Sequence, residues 1–184
     1  MTWTIIVLVV LALVLWSFYV SWRASRLDRL HNRVEAARTS LDLALVRRAS
    51  AASELASSGL LDPATSLLLA DAVRRARDSG PAERDLAESD LTRALRATLG
   101  NPDFRRELVG NARMTKQGGG DLVAAVEDAA QRVYIARKFY NDLAGRTIDA
   151  RRRPLVRVLR LYGSALQPGF FDMDDEIAVL PPGE

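Results

Sequence analysis

The sequence predicts an all-α protein in which an N-terminal transmembrane helix continues into an antiparallel up-and-down helical bundle with two long and two shorter helices. Three observations lead to this fold class. Residues 2–22 carry no charged side chain. Two later stretches repeat apolar residues with a heptad period. Breaks that contain Gly and Pro separate the segments between those two stretches.

The first predicted element is the uncharged stretch at residues 2–22. As a helix it would be about 30 Å long, at ~1.5 Å per residue, which matches the hydrocarbon core of a bilayer. Trp3 at one end and Tyr19 with Trp22 at the other are aromatic rings suited to the headgroup depth, and Trp16 belongs to the span between them. A cleaved signal peptide is the alternative, but the segment lacks a basic start and its apolar core is too long. We therefore expect an uncleaved anchor.

The orientation of the anchor follows from the arginines around it. None precedes the span, whereas five follow it closely: Arg23, Arg26, Arg29, Arg33 and Arg38. Basic residues beside a span tend to stay in the cytoplasm. We expect the N-terminus outside and the C-terminal domain in the cytoplasm, at an inner or plasma membrane. The inverse topology is the alternative.

A long helix is predicted directly after the span, because residues 27–55 place apolar side chains at successive heptad a and d positions. It ends near Gly59, and no Pro or Gly separates it from the span. Asp62 then caps a short second helix that stops at Gly80. A third short helix begins near Glu83 and ends at the next Gly-Asn-Pro break.

The last long helix is predicted to follow a flexible stretch at residues 116–120. Asp121 would cap it, and its heptad matches the first helix in length. A short helix at residues 103–112 precedes it, and Pro154 ends or kinks it. These elements predict an anchor at residues 1–22, a bundle at 23–165 and an irregular acidic tail at 166–184.

Two stretches resemble the LemA family. The first is LHNRVEAA with LDLALVRR, at residues 30–37 and 41–48, which resembles that family's Asn-Arg-Val segment, its seven-residue step to an apolar-Asp pair and its paired basic residues. The second is RVYIARKFYND at residues 132–142, similar to the family's Ala-Arg-x-Phe/Tyr-Tyr-Asn element, with PGFFD following at 168–172. The resemblance covers nearly the whole chain. It implies a single-pass membrane protein with a soluble antiparallel helical bundle, and no particular chemistry.

Catalysis is not expected from the residue types present. The chain contains no Cys and one His, whereas covalent or acid–base catalysis needs a nucleophile with a base, a carboxylate pair or a metal cluster. His31 is predicted at the flank of the first long helix, with a pH-dependent contact as the functional alternative. The Gly run at residues 118–120 lacks the order of a phosphate-binding loop. We predict no catalytic residue, no cofactor and no metal site.

Three polar residues are candidates for a role inside the bundle. Arg48 occupies a heptad a position, where a buried charge would pair with an acid on another helix and would fix the helix register or bind a ligand in the bundle. The alternative, which is favoured, is that Arg48 reaches water on its apolar stem. Tyr140 faces the seam of the last helix and can form a hydrogen bond across the bundle, for instance to an acid on the first helix. Asn141 belongs to a polar patch beside it that either makes internal contacts or recognises a partner.

Residues 151–162, which we name the basic segment, are candidates for contact with a membrane surface or an acidic partner. Because the first helix leads away from the membrane, an antiparallel last helix leads back and brings this segment towards the inner leaflet. Anionic headgroups attract such residues by ~1 kcal/mol per Lys or Arg. The candidates are Arg151, Arg152, Arg153, Arg157 and Arg160. A solvated helix face is the alternative.

These features lead to two functional hypotheses. The first is a membrane-tethered, non-catalytic scaffold or adaptor for other membrane or envelope proteins. The second is a bundle that binds or remodels lipid through the basic segment. Nucleic acid is not an expected partner, because no aromatic platform or recognition motif accompanies the basic residues. The heptad surfaces also allow a homo-oligomer.

Overall fold

The computed structural model describes residues 2–114, 119–158 and 166–175. Within them the chain is all-α, as predicted, with six helices and no β-strand: α1 (Thr2–Ser57), α2 (Pro63–Asp78), α3 (Arg84–Leu99), α4 (Pro102–Met114), α5 (Gly119–Arg152) and α6 (Pro154–Val158). Of these, α1 and α5 are the two long helices, with 56 and 34 residues. Most of the predicted flexible stretch at 116–120, Arg160 with the end of the basic segment, and residues 176–184 of the tail lie outside the described residues.

Local chemistry explains where the helices begin and end. Gly59, just after α1, has φ +74°, a left-handed conformation that glycine adopts without a steric penalty. The Asp62 carboxylate accepts the N–H groups of Ala64 and Thr65 at 3.0 Å each, which caps α2. Asp121 is not a cap as predicted. It lies in the first turn of α5, where its charge still complements the helix dipole.

Contacts divide the chain into two compact units. Unit 1 comprises Met1–Arg38 and Tyr140–Phe170, and unit 2 comprises Thr39–Phe139 and Phe171–Glu184. The predicted anchor, bundle and tail are distinguished by composition rather than by contacts, and they stay a prediction. Residues 166–175 of that tail are neither helix nor strand, as expected.

Unit 2 is a helical bundle with a core of small and medium apolar side chains. The helices α2 and α3 pack against each other, and α3 also contacts α4. Its core includes Leu55, Leu69, Leu91, Leu95 and Val126, each at most 1% exposed. The predicted heptad positions of α1 in this unit are mostly buried.

The buried face of α2 includes only one of its three adjacent leucines. Leu67 and Leu68 are 72% and 70% exposed, whereas Leu69 is fully buried. Consecutive helical residues point about 100° apart, so three adjacent leucines cannot all face one core. The buried Ala72, Val73 and Ala76 share the face of Leu69.

Unit 1 buries residues from α1, α5 and α6. Val34 and Ala37 of α1 are at most 4% exposed, as their heptad positions predict. Tyr140, Leu143 and Val156 are also buried. The part of α1 before Arg23 is the uncharged segment, which is described next.

Candidate functional site

The uncharged segment Thr2–Trp22 is a helix that is long and apolar enough to cross a membrane. Its mean hydropathy is 2.5, and none of it is buried within the protein. The four aromatic residues named for the span are exposed: Trp3, Trp16, Tyr19 and Trp22 are 79%, 52%, 36% and 52% exposed. The rings of Trp16 and Tyr19 lie with their centroids 6.4 Å apart, one turn along the helix.

Arg48 is buried and paired, which corrects the favoured interpretation that it reaches water. It is 0% exposed. Its Nη2 donates to Glu88 Oε2 at 2.7 Å and to the Glu88 carbonyl at 3.1 Å, and its Nη1 donates to Thr92 Oγ1 at 2.8 Å. The alternative that it pairs with an acid on another helix is therefore confirmed. The pair links α1 to α3 inside unit 2.

The electrostatics of Arg48 show the cost of this burial. Desolvation lowers the pKa of Arg48, and the nearby Glu88 carboxylate opposes that shift, with a smaller contribution from Asp175. Among the described residues, the Arg48 Nε has no hydrogen-bond acceptor. Breaking such a buried pair usually costs ~3–5 kcal/mol, because the remaining charge has no partner.

Tyr140 makes an internal contact, in line with a structural role. It is 4% exposed, and its hydroxyl donates to the Gly169 carbonyl at 2.8 Å. The acceptor thus lies in the PGFFD stretch at residues 168–172. Asn141 is half-buried beside it on α5.

The described part of the basic segment is mostly exposed. Arg152, Arg153 and Arg157 are exposed, and the Arg152 guanidinium lies 4.0 Å from Asp149. Arg151 is half-buried and donates to the Leu166 carbonyl at 2.9 Å. The same oxygen lies 3.4 Å from His31 Nε2.

The Leu166 carbonyl therefore brings Arg151 to the level of His31 on α1. His31 follows Trp22 by nine residues, about 14 Å along a helix at 1.5 Å per residue. If Trp22 lies at the membrane interface, His31, which shares this acceptor with Arg151, lies about 14 Å farther along α1.

Sequence reasoning missed a docked segment at residues 171–175, which we name the strap. The Asp172 N–H donates to Asp85 Oδ2 at 2.9 Å, and the Asp174 N–H donates to Ser89 Oγ at 3.0 Å. The strap also forms two ion pairs, Arg96 with Asp174 at 2.8 Å and Arg137 with Asp175 at 2.6 Å. The predicted polar patch at residues 132–142 thus has one internal partner in the strap.

The chemistry of the described residues is that of charge pairs and apolar packing. In residues 2–114, 119–158 and 166–175, no group of three or more His, Cys, Asp or Glu is placed to hold a metal ion. No family model, no curated protein and no solved structure matches the chain.

Proposed function

We propose that this chain is a LemA-like, single-pass membrane protein whose helical bundle is a non-catalytic scaffold or adaptor for other membrane or envelope proteins. The observation that carries the proposal is the exposure of Thr2–Trp22. Burying apolar surface contributes ~25 cal/mol per Å², and no part of this segment is buried within the protein. A lipid bilayer would supply the missing apolar surroundings.

The orientation rests on the arginines that follow the span. With the N-terminus outside, the bundle lies in the cytoplasm, at an inner or plasma membrane. Protease digestion of intact and permeabilised cells tests this directly. We expect cleavage of the bundle only after permeabilisation, and cleavage in intact cells would contradict the orientation.

The surface of α5 offers a place for partner proteins. Ile135 and Phe139, one turn apart, are 56% and 58% exposed. The Lys138 ammonium lies 5.9 Å from the centre of the Tyr134 ring on the same helix. Large apolar and aromatic side chains rimmed by charge are typical of protein interfaces. This surface lies in the stretch that resembles the LemA family.

Site-specific crosslinking in intact cells tests the scaffold proposal. A photo-crosslinking amino acid replaces Phe139, and the matched control replaces Arg106, whose side chain is 78% exposed on α4. We expect discrete adducts with membrane proteins from position 139 and few from position 106. Equal, diffuse adducts from both positions would contradict the proposal, and adducts only with a second copy would indicate a homo-oligomer.

Lipid binding through the basic segment is the second candidate function. It is favoured by the exposure of Arg152, Arg153 and Arg157. Three such charges would contribute roughly 3 kcal/mol near an anionic surface. Leu166 beside them is 90% exposed and can enter the headgroup region.

Fluorescence quenching by lipid separates the two functions. The chain has no Cys, so Arg157→Cys supplies a unique labelling site, and Arg106→Cys supplies the control. In nanodiscs that contain lipid-borne quenchers, we expect stronger quenching at position 157 with anionic than with neutral lipid. Replacing Arg152 and Arg153 by Gln should reduce that difference, and quenching that is independent of lipid charge would rule out this function.

A further inference from the structure

The strap binds α3 through its backbone. Four residues of α-helix advance about 6 Å, and two residues of extended chain advance about 6.6 Å. Alternate N–H groups of an extended segment therefore match side chains one helical turn apart. Asp85 and Ser89 are such a pair of acceptors, and they receive the N–H groups of Asp172 and Asp174.

The acceptor on Ser89 is held in place by its own hydrogen bond. Its hydroxyl donates to the Asp85 carbonyl at 2.6 Å. That bond uses the only proton of the hydroxyl and leaves its lone pairs free to accept. The Ser89 oxygen that accepts the Asp174 N–H is therefore already oriented by its bond to the Asp85 carbonyl.

The side chains of the strap have three distinct roles. Met173 is 5% exposed and supplies the buried apolar contact. Asp174 pairs with Arg96 on α3, and Asp175 pairs with Arg137 on α5. We name the surface formed by Asp85, Ser89, Arg96 and Arg137 the groove. Its two arginines are charge-complementary to an acidic peptide, and Asp85 and Ser89 accept backbone N–H groups.

We propose that the groove is a docking site for an extended acidic segment of a partner protein, and that the strap occupies it as an internal competitor. Two backbone donors, one apolar side chain and two adjacent carboxylates are features that a segment of another chain can supply equally well. Such docking would deepen the proposed scaffold function, on which it rests, by naming the chemistry of the partner.

The contacts of the strap would allow a partner segment to replace it in the groove. The Arg96–Asp174 side chains are each 36% exposed, and the Arg137–Asp175 side chains are 21% and 12% exposed. The more exposed Arg96–Asp174 pair contributes little and is screened by salt, whereas the Arg137–Asp175 pair is more buried and less screened. By comparison, the side chains of the Arg48–Glu88 pair are only 1% and 3% exposed, so this pair belongs to the core. Tethering still gives the strap a high effective concentration, so a free peptide binds the wild-type chain weakly.

Binding of a labelled peptide tests the proposal with the full chain in uncharged detergent micelles. The probe is FFDMDDE, the sequence of residues 170–176, followed by fluorescence anisotropy. The double variant Asp174→Asn, Asp175→Asn weakens the strap and leaves the groove intact, so we expect it to bind the probe at least ~10-fold more tightly than the wild type. The peptide FFDMNNE is the control probe and should bind at least ~10-fold more weakly.

Variants of the groove identify the site of binding. In the strap-weakened background, Arg96→Gln or Arg137→Gln should reduce affinity for FFDMDDE at least ~10-fold. Arg93→Gln is the matched control, because Arg93 lies on the same helix and pairs with Asp90, and it should leave affinity unchanged. Equal affinity for all variants, or no binding by any of them, would overturn the proposal.

Hydrogen exchange keeps the test decisive if the strap-weakened variant does not fold. With wild-type chain and excess FFDMDDE, the Asp172 and Asp174 amides should exchange faster, because the probe displaces them from Asp85 and Ser89. Unchanged exchange in both amides at the highest probe concentration would overturn displacement.

The crosslinking described above separates this proposal from the scaffold function. Adducts at position 139 that persist in Arg96→Gln, Arg137→Gln would leave the scaffold standing and remove the groove as its docking site. Binding of FFDMDDE to the groove without adducts at position 139 in cells would support the groove as a peptide-binding site and contradict the scaffold function.

Discussion

The two ends of α1 differ in what they expose and what they bury. In Thr2–Trp22, large apolar side chains such as Leu13 are exposed, at 63% in that case. In residues 39–57 of the same helix, an arginine is completely buried, and so is Leu55. Hydrophobicity alone would place Leu13 inside the protein and Arg48 at its surface.

The difference shows that the surroundings of each segment, rather than its helix propensity, decide what it exposes. The first segment contains no charge that would need a partner, and its backbone groups are bonded within the helix, as a bilayer requires. The second segment tolerates Arg48 because Glu88 and Thr92 satisfy most of its donors. Four predictions can break or sharpen this contrast.

The largest effect is expected from Glu88→Ala, which leaves Arg48 buried without its carboxylate. We expect the free energy of unfolding to fall by ~3–5 kcal/mol in chemical denaturation of the micelle-bound chain. The double variant Arg48→Met, Glu88→Leu should recover most of the loss, since an apolar pair of similar volume needs no partner. Asp142→Ala is the control, because it breaks the exposed pair with Arg146 and should cost ~0–1 kcal/mol. Similar losses for both single variants would mean that Arg48 is solvated.

The next effect compares one substitution at the two ends of α1. Leu55→Ala removes a side chain that is 0% exposed and should lower the free energy of unfolding by ~2–5 kcal/mol through the cavity it leaves. Leu13→Ala leaves no cavity in the protein and should change it by less than ~0.5 kcal/mol. The same denaturation measurement serves both, and equal losses would contradict the contrast.

A smaller effect is expected where unit 1 buries a polar group. Tyr140→Phe removes the hydroxyl that donates to the Gly169 carbonyl, and we expect a loss of ~0.5–1.5 kcal/mol in the free energy of unfolding. Tyr134→Phe, at a ring that is 41% exposed, is the matched control and should be nearly silent. An unchanged free energy of unfolding in Tyr140→Phe would show that this contact does not stabilise the unit.

The smallest effect is expected at the exposed cap of α2. Hydrogen bonds from Thr65, first its side chain and then its backbone N–H, lower the pKa of Asp62 below its ordinary value of 3.8. A lowered pKa in the folded state means that the stabilisation is present above pH 3.8 and is lost as pH falls through the folded value. Asp62→Ala should therefore lower the melting temperature slightly at pH 7 and not at all at the lowest pH. A difference that grows on acidification would contradict this.

The helices could be predicted from sequence because their signals are local. Periodicity, the Asp62 cap and the breaks near residues 59, 80 and 100 predicted α1, α2 and α3 almost to the residue. The heptad also placed Arg48 at a buried position, and only the general tendency of arginine to reach water led to the wrong interpretation. Glu88 lies three residues before Leu91 on the apolar face of α3, a signal that could have identified the partner.

The strap could not be predicted in the same way. Its hydrogen bonds come from backbone N–H groups, which every residue except Pro possesses, so no residue type marks them. Its ion pairs join positions far apart in the chain, Arg96 with Asp174 and Arg137 with Asp175. Many arginines and acids in this sequence could pair, and only the packing of α3 and α5 selects these.

The position of the strap near the end of the chain has a consequence during synthesis. Every groove residue, from Asp85 to Arg137, is translated before Asp172. About 35 residues separate Arg137 from Asp172, which corresponds to roughly 2–7 s at 5–20 residues per second. Each new molecule therefore passes through an interval in which the groove has been made and its internal competitor has not. A partner waiting at the membrane would meet no competition in those seconds.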